Sequence, residues 1–262
     1  MTGSVTDLPG RWGATPYLLM AHGRSAVRRS WQDEDAVVVA LEDRRGGTGL
    51  VGLGAPSGVA RLLEVAAGEP ADDADVAWSH LRWATVPRGT WGAVGQGGSR
   101  LFGGWTGLSA WDCMWTYRPL VGVADHDVER LLPQLPEVRA EVAQALARAH
   151  PTARTRPDDP RLIGWWGARA DGRLVAVVGA LRYGPGLAPH LVSLGVDPEH
   201  RGRGLAGAVL AAAVRDGLAA GTQVGPSAVW LGVYASNDAA RRVYERHGFE
   251  LGHRFESRDA PG

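Results

Sequence analysis

Lysine is absent from this 262-residue chain, all 28 of whose basic side chains are arginine. Chemistry that forms a Schiff base on a lysine of the chain is thereby excluded. Cysteine occurs once, as Cys113, so no internal disulfide can form and a zinc site built from cysteines is ruled out; a reducing, cytoplasmic setting is expected. Neither sign of charge is in excess, with 28 basic against 28 acidic residues. The basic surplus that nucleic-acid binders use to displace counterions is missing, and no nucleic-acid partner is expected. No apolar run approaches the roughly 18 residues of a membrane span, and the opening "MTGSVTDLPGRWGATPY" lacks the charged-then-apolar layout of an export signal. An unexported, soluble protein without a membrane partner is expected. Isoleucine and asparagine occur once each, at Ile163 and Asn237, a bias that fits a GC-rich coding sequence.

What remains is an ordinary globular composition, 45% hydrophobic and 21% charged, in a chain longer than one compact domain usually is. Two domains are expected, residues 1–110 and 111–262. In the first, "AVVVAL" (36–41) and "GLVGL" (49–53) read as short strands, and 58–67 as a helix with Val59, Leu62, Leu63 and Val65 inward. Eight of the 11 tryptophans precede residue 120: Trp12, Trp31, Trp78, Trp83, Trp91, Trp105, Trp111 and Trp115. Such large aromatics are expected mainly to pack, with the wall of a substrate cavity as the other role.

From residue 111 the pattern is more regular. "CMWTYRP" (113–119) suits a strand, a helix is expected over 127–133 with Asp125 or Asp127 as cap, and 136–150 is a helix opened by Pro136. Two strands follow around Asp171 and Gly172, a strong hairpin signal. Then come the strand "PHLVSLGV", a helix, the strand "AVWLGVY", a helix over 238–247 and a last strand near "FELGHRFES". The order implies a mixed α/β sheet with helices on its faces.

Between the third of these strands and its helix lies "RGRGLAG", residues 201–207. Gly202 and Gly204 permit a sharp turn and close approach to bare backbone. A helix starting there offers free amide hydrogens and the positive end of its dipole, and Arg201 and Arg203 add charge-assisted donors for a phosphate. The plainer reading is a surface turn with two solvated arginines. "GLGAPSG" (52–58) also follows a strand, but its glycines miss the dinucleotide-binding spacing. A second pattern decides between the two readings of 201–207. Asn237, Ala240, Tyr244, Gly248 and Phe249 form NxxAxxxYxxxGF, using the chain's one asparagine, with Ala240 and Tyr244 on one helical face and Gly248 as the stop; its plainer reading is a capped amphipathic helix with a core tyrosine.

Over about residues 111–262 the two motifs together resemble the GNAT superfamily of acetyl-CoA-dependent N-acetyltransferases. Arg201, Gly204 and Ala206 match its [QR]xxGx[GA] signature, and Asn237 and Tyr244 match its later Asn and Tyr. The resemblance implies a GNAT-like acyltransferase fold whose coenzyme lies where one strand splays from its neighbour. The backbone of Leu194, Gly195 and Val196 would hold the pantetheine arm. Amides from Arg201 through Gly202, Arg203, Gly204 and Leu205 to Ala206 would hold the pyrophosphate, Asn237 would orient the pantetheine or a water, and Ala240 would leave space for the coenzyme. Tyr244 would protonate the leaving thiolate, and an amide of Leu194 or Val196 would polarise the thioester carbonyl. No metal enters this chemistry.

The base is less marked. Alternation puts His190, Val192, Leu194 and Val196 on one strand face, and some arylalkylamine members of the family that the chain resembles carry histidines on this strand. His190 is thus a candidate base, directly or through water, against the structural role a histidine beside a loop proline ordinarily has; Ser193 is the weaker candidate. His200 is expected to meet phosphate or solvent, and His247 to complement a helix dipole. The first 110 residues carry neither motif and are expected to be a degenerate GNAT-like unit that buttresses the second and roofs its acceptor pocket. A small, partly apolar amine is the expected acceptor. The rival readings are a larger acyl group, O-acylation, decarboxylation of an acyl-CoA, and a non-catalytic acyl-CoA sensor.

Overall fold

The structure, a computed structural model, describes residues 3–42, 46–69 and 80–261; Trp78 lies outside them. Among these residues the chain forms two compact units. The first holds the chain through Cys113, Tyr234–Ser236 and everything from Gly252 onward; the second holds Met114–Val233 and Asn237–Leu251. The last segment of the chain therefore groups with the first unit, a feature absent from a simple division at residue 110.

In the first unit, β1 (Gly3–Ser4), α1 (Pro16–His22), β2 (Ala26–Gln32), β3 (Ala36–Glu42) and β4 (Thr48–Gly54) precede α2 (Pro56–Ala67) and β5 (Leu81–Pro87). Two short helices, α3 (Thr90–Ala93) and α4 (Gln96–Phe102), lead to β6 (Thr106–Thr116). Strands β1 to β5 lie in chain order, with only β4 and β5 parallel. Beyond β5 comes β12 (Glu250–Asp259), whose Phe255–Asp259 pair antiparallel with Pro87–Trp83. The apolar run of β3 is buried at every residue from Ala36 to Leu41, as a strand covered on both faces must be. In α2, Val59, Leu62, Leu63 and Ala66 pack on this sheet at the i, i+3, i+4, i+7 spacing of one helical face. Val65, expected inward, falls off that face and is 52% exposed.

In the second unit, β7 (Glu129–Leu131), α5 (Pro136–Ala149), β8 (Leu162–Ala170), β9 (Arg173–Leu181), β10 (His190–Val196), α6 (Leu205–Ala219), β11 (Val229–Tyr234) and α7 (Asp238–Arg246) follow in turn. The strand order is β11-β10-β9-β8-β7, with only β10 and β11 parallel, joined through α6. The helix expected over 127–133 is instead strand β7. Glu129–Leu131 pair with Gly167–Trp165, and Pro133 disfavours helix just beyond. The expected β8–β9 hairpin is present, with Asp171 and Gly172 at φ 49° and 75°, the left-handed pair that a two-residue turn of this kind needs.

Adjacent Trp165 and Trp166 show how the sheet is filled from both sides. Trp166 joins the core between the sheet and α6, and Trp165 the core beneath α5. Each large apolar side chain so buried contributes about 1.5–3 kcal/mol. The Trp166 indole N–H donates to Asp216 of α6 at 2.8 Å, fixing that helix against β8. Leaving 3₁₀ turns aside, the order strand, helix, three strands, helix, strand, helical segment, strand runs from β1 to β6 and again from β7 to β12. Among the described residues no helix is long and apolar enough to cross a membrane.

Candidate active site

Strand β10 is regular only at its start. Against β9, His190–Val192 pair with Leu181–Gly179, and pairing resumes at Gly195 opposite Val177. Ser193 and Leu194 are thus left out of that ladder, and Ser193 stands at φ 54°, a strained conformation for a residue with a side chain. Against β11, only His190 and Leu191 pair, with Trp230 and Leu231. From Val192 onward β10 has no ladder partner in β11 among the described residues. The bulge also corrects the expected alternation, because an inserted residue reverses the faces that follow it. Val192 packs with the core under α5, whereas Leu194 and Val196 pack against the core under α6.

The strand does not run straight into the glycine turn. Asp197 caps a 3₁₀ turn, Pro198–His200, accepting from the Glu199 amide at 3.2 Å. Gly202 and Gly204 then adopt φ 75° and 82°, and Gly204 is the N-cap of α6. A glycine cap brings no side-chain acceptor, so nothing caps the amides of Leu205 and Ala206 from that position. Arg201 donates from Nε to the Val196 carbonyl and Arg203 from Nη2 to the Glu199 carbonyl, both at 3.2 Å, and both arginines are exposed. The turn therefore combines open amides, a helix dipole and two arginines, the makings of an anion cradle. Asp197, Glu199 and His200 lie close enough together to hold a cation, but the Asp197 carboxylate already faces Arg148 and Arg173. His200 turns toward Asp197, 3.9 Å away.

Helix α7 carries the second motif. Asn237 is its N-cap, with Oδ1 accepting from the Ala240 amide at 3.1 Å. Ala240 is half-buried, and Tyr244 is buried with its ring edge-on to Phe249 at 5.7 Å. Burial pushes the Tyr244 phenol well above its ordinary pKa, so the hydroxyl keeps its proton. His247 stands at the C-terminal end of α7, as expected, and is buried; its Nδ1 lies 3.0 Å from the Val121 carbonyl.

His190 stands where β10 is still paired on both sides. Its ring stacks on Trp230 at 3.9 Å and its Nδ1 lies 2.8 Å from the Tyr183 hydroxyl. Burial, and next the charge of Arg161, pull its pKa down to about 3. The folded state therefore binds fewer protons here than the unfolded chain between about pH 6.5 and pH 3. Stability is full above 6.5 and falls with acidification, by about 2 kcal/mol between pH 6.5 and 5 for one such group. His190→Gln is expected to flatten that part of the melting-temperature profile; a profile unchanged by the substitution contradicts the shift.

A parallel strand pair that is laddered only at its start thus leads to a helix start without a side-chain cap, in a mixed α/β sheet. Residues 131–249 match the model of the acetyltransferase (GNAT) family, and the chain carries a GNAT-family acetyltransferase domain over that span. The fold is shared more widely. A structure assigned to the same family from Novosphingobium aromaticivorans is 21% identical, covers 87% of this chain and 88% of its own, and superposes with a TM-score of 0.50. A GNAT-family acetyltransferase from Colwellia psychrerythraea, 14% identical, covers 98% and 92% with a TM-score of 0.54. No curated protein matches the chain.

Proposed function

We propose that the protein transfers an acetyl group from acetyl-CoA to the primary amine of a small molecule. The observation that carries this reading is the uncapped start of α6 behind Gly204, at the end of a strand that has parted from its parallel neighbour. The pyrophosphate would sit on the amides from Arg201 to Ala206. The pantetheine arm would take the unpaired edge of Leu194, Gly195 and Val196 and reach toward Ala240 and Tyr244.

In this reading the neutral amine attacks the thioester carbonyl, whose oxygen takes up negative charge toward an amide of the bulged strand. Collapse of that adduct breaks the carbon–sulfur bond. The Tyr244 hydroxyl gives its proton to the departing thiolate, and the proton lost by the amine leaves to water. The depressed basicity of His190 weighs against it as the base, and Ser193, held at the bulge, is the candidate that stands beside the open edge.

The first half reads as a degenerate copy of the same unit. It repeats the element order, but α2 opens with Ala55 as cap and Pro56 at its first position. A side chain at Gly52 would meet Val59 and Val86, so side chains fill the place beside β4.

Arg201→Ala is expected to weaken coenzyme A binding about tenfold, the scale of one charge-assisted contact; calorimetry showing no loss counts against the cradle. Release of free coenzyme thiol from acetyl-CoA across an amine library tests the function itself. Binding without turnover identifies a sensor, and mass spectrometry of products from an acyl-CoA panel separates amine acetylation from other acyl chemistry.

A further inference from the structure

The connection between β6 and β7 has no regular structure, yet it is bound to the rest of the second unit at five points. Leu120 and Val128, near its two ends, pack against the α6 core. Between them the Val121 carbonyl lies 3.0 Å from His247 Nδ1. A Cβ on Gly204 would stand 2.7 Å from the Cβ of Ala124, so the segment rests directly on the bare backbone of the turn. Finally, His126 Nε2 lies 2.7 Å from the carbonyl oxygen of Arg203. A carbonyl only accepts, so Nε2 carries the hydrogen.

That last bond bears on the direction of an amide. In a trans peptide the carbonyl of one residue and the N–H of the next point oppositely. With the Arg203 carbonyl turned to the segment, the Gly204 N–H points away from it. Glycine at 204 makes the reverse orientation accessible as well, because φ of Gly204 and ψ of Arg203 can rotate that peptide without a Cβ clash. Once rotated, it would present a carbonyl oxygen where an anion needs a donor.

We propose that residues 117–128 form a strap completing the coenzyme site, and that His126 is a positioning residue holding the Arg203–Gly204 peptide with its N–H toward the pyrophosphate. The proposal rests on the reading of the turn as a pyrophosphate cradle. His247 extends the device: it bonds the strap at Val121, and its Nε2 would lie 2.6 Å from a Cβ on Gly207 of α6. Since His247 closes α7 three residues after Tyr244, one connected set of contacts holds the strap, the phosphate turn and the helix bearing the phenol.

Titration calorimetry with coenzyme A tests this on the full chain, comparing wild type with His126→Ala, His126→Phe and His126→Gln. The Ala and Phe variants are expected to bind about tenfold more weakly, the scale of losing a bond that orients a donor to a charged group. The Gln variant, whose side-chain amide can donate to the same carbonyl, is expected to recover to within about threefold of wild type. A purely space-filling role would be rescued by Phe rather than Gln, and that result overturns the proposal. So does an Ala variant as tight as wild type. Wild type that binds no coenzyme A overturns the cradle itself, and this inference with it.

Discussion

Replacing Tyr244 by Phe is expected to lower turnover about 10²- to 10³-fold, the usual contribution of a positioned general acid, while coenzyme A affinity stays within about twofold. The two effects separate because the substitution keeps the ring and its edge-on contact with Phe249 and removes only the hydroxyl. A thiolate leaving without a proton donor carries its full charge into a site where burial already disfavours charge, as the raised pKa of Tyr244 itself shows. The same shift fixes the pH dependence. Raising the pKa keeps the acid protonated as pH rises, so Tyr244 contributes no alkaline decline below about pH 10, its ordinary value. Equal turnover for the variant and wild type across this range would remove Tyr244 from proton transfer.

Gly204→Val is expected to weaken coenzyme A binding about 100-fold or more. Position 204 stands at φ 82°, which a β-branched residue adopts only at a cost of about 1–3 kcal/mol. Its new Cβ would lie 2.7 Å from that of Ala124, so the turn or the segment beside it must move. Both effects act on the backbone that presents the amides. Gly202→Ala is the control: φ there is 75°, but a Cβ meets nothing within 4 Å, so it carries the conformational cost alone and the smaller loss. Equal affinities for Gly204→Val and wild type would show that the turn is a surface feature.

The fold of the second unit was largely legible because its signals are local. Pro136, the Asp171–Gly172 turn and the alanine-rich α6 each specify their element through neighbours in the chain. Where specification is not local, the sequence carries no corresponding signal. Strand β7 has three residues and exists by pairing with β8, which no local pattern announces. The bulge at Ser193 left the apolar pattern of β10 looking regular, so the reversal of faces after Val192 was invisible until its pairing was known. His126 and His247 act across 77 and 126 residues of chain, and a histidine in a loop or at a helix end carries no mark of a distant carbonyl. Asn237 was found for its place in the motif, and its bond to the Ala240 amide supplies the cap of the plainer reading. The two motifs were readable because both depend on residue type at fixed spacing within one strand-to-helix or helix segment.

The most direct measurement is a crystal structure of the protein with coenzyme A. The account predicts pyrophosphate oxygens within about 2.7–3.2 Å of main-chain nitrogens in the stretch from Arg201 to Ala206, with the pantetheine arm along the unpaired edge of Leu194–Val196. A pyrophosphate bound away from this turn, with the gap between β10 and β11 left without ligand, would contradict it.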